Sequence, residues 1–308
     1  MLGRIELELL ATVERGDTIS DLAVKLDSSE SYISRAVSDL EEMGLVFSER
    51  DVRRKRVIPS DAKAVELYQD IARQHPHIDF STLLTGKSLE ILYHLDKPRT
   101  VSELAEQTGN YRNTVNRVLK RLRDRGLVGT DNSHYHFNGD FDRLYAFARE
   151  LVHHQHRQQL ESIVQDGSIL WEGYDEFLVQ TQSEIDRQHY HETGLARFAA
   201  YNLQFLLTSS RYYFFSASID SISPADLCCH TLLIDDGVRY RSYCLLLLSR
   251  LNVDEDDLRD RATKYGIETE IDALIRYLKT EGHARNGHFP EWTEFEQLAA
   301  DYEVQLSP

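Results

Sequence analysis

Residues 18–46 read TISDLAVKLDSSESYISRAVSDLEEMGLV, and residues 100–128 read TVSELAEQTGNYRNTVNRVLKRLRDRGLV. Laid over each other at an offset of 82 residues, the two stretches need no gap. Thr18 meets Thr100, Ser20 meets Ser102, and Leu22-Ala23 meets Leu104-Ala105. Arg35 meets Arg117, Leu40 meets Leu122, and Gly44-Leu45-Val46 meets Gly126-Leu127-Val128. Upstream, Leu7, Glu8 and Leu10 meet Leu89, Glu90 and Leu92. A fixed period of this kind marks one structural unit present twice within the first ~130 residues.

The unit reads as helix, helix, turn, helix, then a hairpin. Its first helix is expected over Leu2–Arg15, and over Gly86–Leu95 in the second copy. Thr100-x-x-Glu103 is a capping box that opens the next helix, and Thr18-x-x-Asp21 is its weaker form. A short polar turn follows, Asp27-Ser28-Ser29 or Gly109-Asn110. The third helix then carries one apolar stripe, Ile33, Ala36, Val37 and Leu40, or Val115, Val118, Leu119 and Leu122. That i, i+3, i+4, i+7 spacing buries one face. Gly44 and Gly126 stop the third helices, and a strand starts at once. The order is a helix-turn-helix with a β-wing, in which the third helix is the one that enters a major groove.

Residues 18–61 resemble the MarR-type winged helix. The resemblance lies in the serine-rich helix Ser29 to Asp39, in Leu-Glu-Glu-Met-Gly-Leu-Val at 40–46, and in a charged wing with Asp51-x-Arg53. Residues 86–137 resemble the same superfamily more loosely. The resemblance implies sequence-specific binding of double-stranded DNA and control of transcription.

With the stripe assigned to the core, the opposite face of each third helix is defined. In the second copy it shows Tyr111, Arg112, Asn113, Asn116, Arg117 and Lys120. Arginine reads guanine and asparagine reads adenine through paired hydrogen bonds. Arg121, Arg123 and Arg125 follow as phosphate contacts. In the first copy the face is Glu30, Ser31, Tyr32, Ser34, Arg35 and Ser38, which is far less basic. The first wing compensates with Arg50, Arg53, Arg54, Lys55 and Arg56. The second wing is short and carries His134 and His136, read as plain strand residues with pH-sensitive phosphate contacts as the alternative.

Charge distribution agrees with this reading. The 308 residues carry a net charge of −16, with 27 Arg and only 8 Lys. Residues 81–130 are the exception, with 9 Lys and Arg against 5 Asp and Glu. Residues 131–308 hold 15 against 30. An acidic, lysine-poor surface of this kind is similar to that of haloarchaeal chains, which stay solvated in molar salt. Apolar content of 41 % supports real cores, and no apolar run is long enough to span a membrane. Absence of a signal-like start points to a cytoplasmic protein. Cys228, Cys229 and Cys244 make no disulfide framework and are expected in a buried, reduced core, with metal or redox sensing together with His230 as the alternative.

The expected organisation is α+β: two tandem winged helices followed by a mixed α/β domain. The boundaries are 1–80 for the first winged helix and spacer, 81–138 for the second, 139–166 for a linker helix and 167–308 for an acidic sensing or assembly domain. The helix 141–164 has an apolar seam at Phe141, Leu144, Ala148, Leu151 and Val152, which packs on the second wing or joins a homodimer. In the last domain, strands are expected at Ser168–Trp171, Glu176–Thr181, Arg211–Ser216 and 232–234. Helices are expected at Gly194–Phe205, from Ser223-Pro224, and over Arg239–Leu251, Leu258–Tyr265, Ile271–Leu278 and Trp292–Tyr302. The run from Thr193-Gly194-Leu195 through Asp226-x-x-x-His230 resembles the C-terminal domains of AbiEi-type antitoxin regulators. That resemblance implies autorepression or partner binding.

Enzymatic chemistry finds little footing. Asp140-x-Asp142 lacks the Gly-Ser turn of a nucleotidyltransferase and sits at a helix start. No phosphate-cradling glycine loop or nucleophile elbow is present. No catalytic residue, metal site or cofactor is assigned. The reading is a DNA-binding regulator, with plasmid maintenance, replication initiation or antitoxin-type autorepression as the alternative and a protein scaffold behind it.

Overall fold

The computed structural model describes residues 2–51, 54–206, 208–285 and 287–306; of Arg50, Asp51 and Arg54 it describes the backbone. The chain divides into two compact units, 1–159 and 160–308. Helix and antiparallel sheet are mixed throughout, in keeping with the α+β expectation.

In the first unit, α1 (Arg4–Thr12) leads through the short β1 (Asp17–Thr18) to α2 (Ile19–Lys25) and α3 (Glu30–Glu42). Strands β2 (Val46–Asp51) and β3 (Arg54–Pro59) then form a hairpin, and β1 adds to it in the order β1-β3-β2. After α4 (Lys63–Gln74) and the one-turn α5 (Phe80–Leu83), the pattern recurs. It runs α6 (Ser88–Tyr93), α7 (Val101–Thr108), α8 (Arg112–Arg123), and the hairpin of β4 (Val128–Asp131) and β5 (His134–Phe137). The helices α2 and α3 and the strand β2 begin at residues 19, 30 and 46; α7, α8 and β4 begin at 101, 112 and 128, each 82 later.

Local chemistry explains the recurrence. Both capping boxes form in full. The Thr18 amide donates to Asp21 at 2.9 Å and the Asp21 amide to Thr18 Oγ1 at 3.2 Å. Thr100 and Glu103 repeat this at 2.6 and 3.3 Å. The Thr18 box, with Asp21 in place of a glutamate, has both of its reciprocal bonds formed. The stripes Ile33, Ala36, Val37, Leu40 and Val115, Val118, Leu119, Leu122 are all buried. Gly44 and Gly126 take φ of +61° and +75°, the left-handed turn that lets each chain fold back into its wing.

Helix α9 (Arg143–Glu161) follows a 3-10 turn at Gly139–Asp142. Its seam is covered by its own chain: Leu144, Phe147, Ala148 and Leu151 join the core that starts at Leu2. Phe147 stacks on Tyr68 of α4 with ring centres 4.9 Å apart. Arg143 donates to Gln74 at 2.7 Å, and His154 Nε2 lies 2.9 Å from the Met43 carbonyl oxygen. The expectation of a dimer contact through this seam is corrected, because the apolar side chains that would make it are spent inside the unit.

The second unit is built on an antiparallel sheet in the order β6-β7-β9-β8, from β6 (Ser168–Glu172), β7 (Phe177–Thr181), β8 (Tyr190–Glu192) and β9 (Arg211–Phe215). Alternation along β7 and β9 serves two cores. Phe177, Val179 and Tyr213 join Leu160 and Val164 on one side, and Leu178 and Phe214 join the helices on the other. Those helices are α10 (Pro224–Ile234), α11 (Val238–Leu251), α12 (Glu255–Tyr265), α13 (Glu268–Lys279) and α14 (Trp292–Asp301). Two expectations are corrected. Leu232 to Ile234 is the last turn of α10, not a strand, and the Gly194–Phe205 helix is a 3-10 helix over Gly194–Tyr201, stopped at Asn202 with φ +58°.

Cys228, Cys229 and Cys244 are buried in this core, with Cys244 Sγ 3.6 Å from the Cys228 carbonyl oxygen. Beside them runs a buried polar chain. Tyr265 donates to Asp226 at 3.0 Å, so His230 Nε2 must donate to Tyr265 at 2.8 Å and Nδ1 must accept from Thr193 at 3.0 Å. Burial pushes the His230 pKa down to about 3, which keeps the ring neutral and the chain intact.

Candidate nucleic-acid interface

The α8 stripe faces the core, so its other side is open. Tyr111, at the N-cap, is 87 % exposed, and Arg112, Asn113, Asn116, Arg117 and Lys120 are all exposed. The side chains of Asn113, Asn116, Arg117 and Lys120 make no hydrogen bond or ion pair with the described residues, which leaves their polar groups available to a ligand. Arg123 and Arg125 are exposed at the end of the helix and beyond it. Asn116, Arg117, Lys120, Arg121 and Arg125 line one shallow concavity, with Asp124 its sole carboxylate. The helix holds five basic residues and no acidic one.

Two members of the expected set are used by the fold. Arg112 donates to Ser102 on α7, which aims its guanidinium along the helix-turn-helix surface. Ser102 gives no sign of this role in the sequence, being an ordinary helix-surface serine ten residues away. Arg121 is turned inward, donating to the Leu83 carbonyl at 3.0 Å and to Ser88 Oγ at 2.6 Å. Burial and the neighbouring Arg117 push its pKa down. Arg121 ties α8 to α5 and α6 while still lining the edge of the same concavity, so it positions the basic face from its margin.

On α3, Ser31, Tyr32, Ser34 and Arg35 are exposed, Tyr32 by 49 %. The helix has one arginine against four carboxylates. Ser29 caps it by accepting from the Tyr32 amide at 3.3 Å, and Ser38 returns its proton to the Ser34 carbonyl at 3.0 Å. In the adjoining wing, Lys55 is paired with Glu41 of α3 at 2.8 Å, while Arg56 is exposed and faces Glu49 across the hairpin register. Against its burial, the Lys55 pair holds the Glu41 carboxyl below its ordinary pKa. Arg53 and the side chains of Arg50 and Arg54 lie outside the described residues.

The second wing is shorter, four residues a strand against six. It turns tightly at Asn132 and Ser133, with φ of +46° and +67°, and His134 and His136 lie on its strand β5. Asp140 and Asp142 are exposed in the 3-10 turn that leads into α9.

No helix among the described residues is long and apolar enough to cross a membrane. No curated protein matches the chain. Residues 187–304, from β8 to α14, match the C-terminal family model HVO_2833_C. Residues 2–62, from α1 through β3, match the winged helix DNA-binding domain family, a match that supports a DNA-binding regulator.

Proposed function

We propose that the chain is a sequence-specific transcription regulator that grips double-stranded DNA with two MarR-like winged helices, residues 2–62 and residues 86–137. The observation that carries this reading is the recurrence, 82 residues after a segment that matches a DNA-binding family, of the same elements with a third helix that holds five basic residues and no acidic one. In this reading Arg112, Asn113, Asn116, Arg117 and Lys120 reach base edges, and Arg123 and Arg125 hold phosphates. Ser31, Tyr32, Ser34 and Arg35 lie along the first groove, and Arg50, Arg53, Arg54, Lys55 and Arg56 follow the backbone beside it. The second unit senses or assembles, and no reaction is assigned to it.

The acidic, arginine-rich composition supports work at high salt. Phosphate contacts weaken steeply with salt, so such a protein depends on base contacts. The test is binding of the purified chain to genomic fragments, its own upstream region included, from low to molar salt. Site-selective binding that survives molar salt and fails in R112A/N116A/R117A supports the reading. Absence of binding at every salt overturns it.

A further inference from the structure

In the second unit, a groove of about 530 Å³ opens between α11, α12, α13 and α14. That volume suits a small organic molecule. Its floor is apolar: Leu248, Leu258 and Ile275 are buried side chains of the helical core, with Leu278 and Leu306 partly exposed above them. Helical spacing explains the convergence. Ile275 and Leu278 are three apart on α13, and Trp292 and Glu296 are four apart on α14, so each pair shares a face.

Electrostatics of the rim are one-sided. Glu255, Glu281 and Glu296 line the groove against a single cation, Lys279. Lys279 is already paired with Glu255 at 2.8 Å. Glu281 and Glu296 are exposed and have no cationic partner among the described residues. Trp292 also lines the groove, its ring backed by Tyr277 and Phe295 with centres 5.6 and 5.5 Å away. An indole attracts a cation more strongly than other aromatic rings do, and an apolar cation is the cheapest to desolvate. Anions meet two unneutralised carboxylates, and a neutral ligand leaves them idle.

We propose that this groove binds an organic cation with an apolar body, such as an aryl- or alkyl-substituted ammonium, seated on the leucine floor with its charge toward Trp292, Glu281 and Glu296. The site stands on the second unit alone and does not depend on the DNA-binding reading.

Titration calorimetry on the full chain tests it with two ions of nearly the same shape, tetraphenylphosphonium and tetraphenylborate. The titrations run at the lowest salt at which circular dichroism shows the chain folded. The expected result is saturable one-to-one binding of the phosphonium, at least about tenfold tighter than the borate, with a change in tryptophan fluorescence. E281Q/E296Q removes most of that preference. D220N/D260N, which deletes two exposed carboxylates outside the groove, leaves it. Equal affinity for the two ions, no saturable binding, a preference that survives E281Q/E296Q, or one lost equally in D220N/D260N overturns the proposal.

Discussion

Helices α3 and α8 occupy the same place in the two copies of the repeat, and inward they are alike. Four apolar side chains at the same spacing are buried in each. Outward they are opposites. α8 exposes four basic residues and no acidic one, its fifth, Arg121, being turned inward, whereas α3 carries one arginine and four carboxylates. In the first copy, basic residues are concentrated in the wing, at positions 50 to 56. The comparison teaches that the fold constrains only the buried stripe. The exposed face is free to diverge, and in the proposed function the copies divide labour, α8 reading bases and the first wing holding the backbone.

The shared half of the comparison predicts the largest effects. Leu40 and Leu122 are equivalent and fully buried, so L40A and L122A should each lower stability by about 2–5 kcal/mol in thermal or denaturant unfolding. If one of the pair costs less than half of the other, the two stripes are not equivalent.

The divergent half predicts unequal effects on binding. N116A/R117A should lose about 1–3 kcal/mol for each base contact removed, read by titration on a selected DNA site. Its counterpart S34A/R35A, at the matching positions, should lose less than about 1 kcal/mol. In the wing, R53A/R54A should weaken cognate and scrambled DNA alike and reduce the slope of log affinity against log salt by about two.

The smallest effects return to what the copies share. T18A and T100A each remove an N-cap whose reciprocal box is formed, at a cost of about 1 kcal/mol apiece. Equal losses at the two sites would show that the Asp21 and Glu103 forms of the box serve equally well.

Much of the first unit was legible because its signals are local and repeated. Capping boxes, stripes and glycine stops each rest on a few neighbouring residues, and each appears twice. Arg121 was harder to place. It sits three residues after Val118 and next to Leu122, on the border of the buried stripe, and only the packing of α5 and α6 decides which way it turns. The seam of α9 was visible, but its partner, Tyr68 of α4, is distant in sequence.

The second unit was less legible for a different reason. From Ala225 to Leu232 every residue of α10 is buried, so the helix shows no polar face and its last turn, Leu-Leu-Ile, reads like a strand. β8 is three residues at a sheet edge, too short to show alternation. The carboxylates Glu281 and Glu296 look like ordinary surface residues until Trp292 and the floor of the groove are assembled beside them.

The most direct test of the divided roles is the ratio of affinities for a selected DNA site and a scrambled one, measured across a salt series. It compares the natural chain with N116A/R117A, S34A/R35A and R53A/R54A. The account predicts that N116A/R117A collapses the ratio and that R53A/R54A preserves it while flattening the salt dependence. A ratio that collapses in S34A/R35A and survives in N116A/R117A would contradict it, and would make α3 the reader.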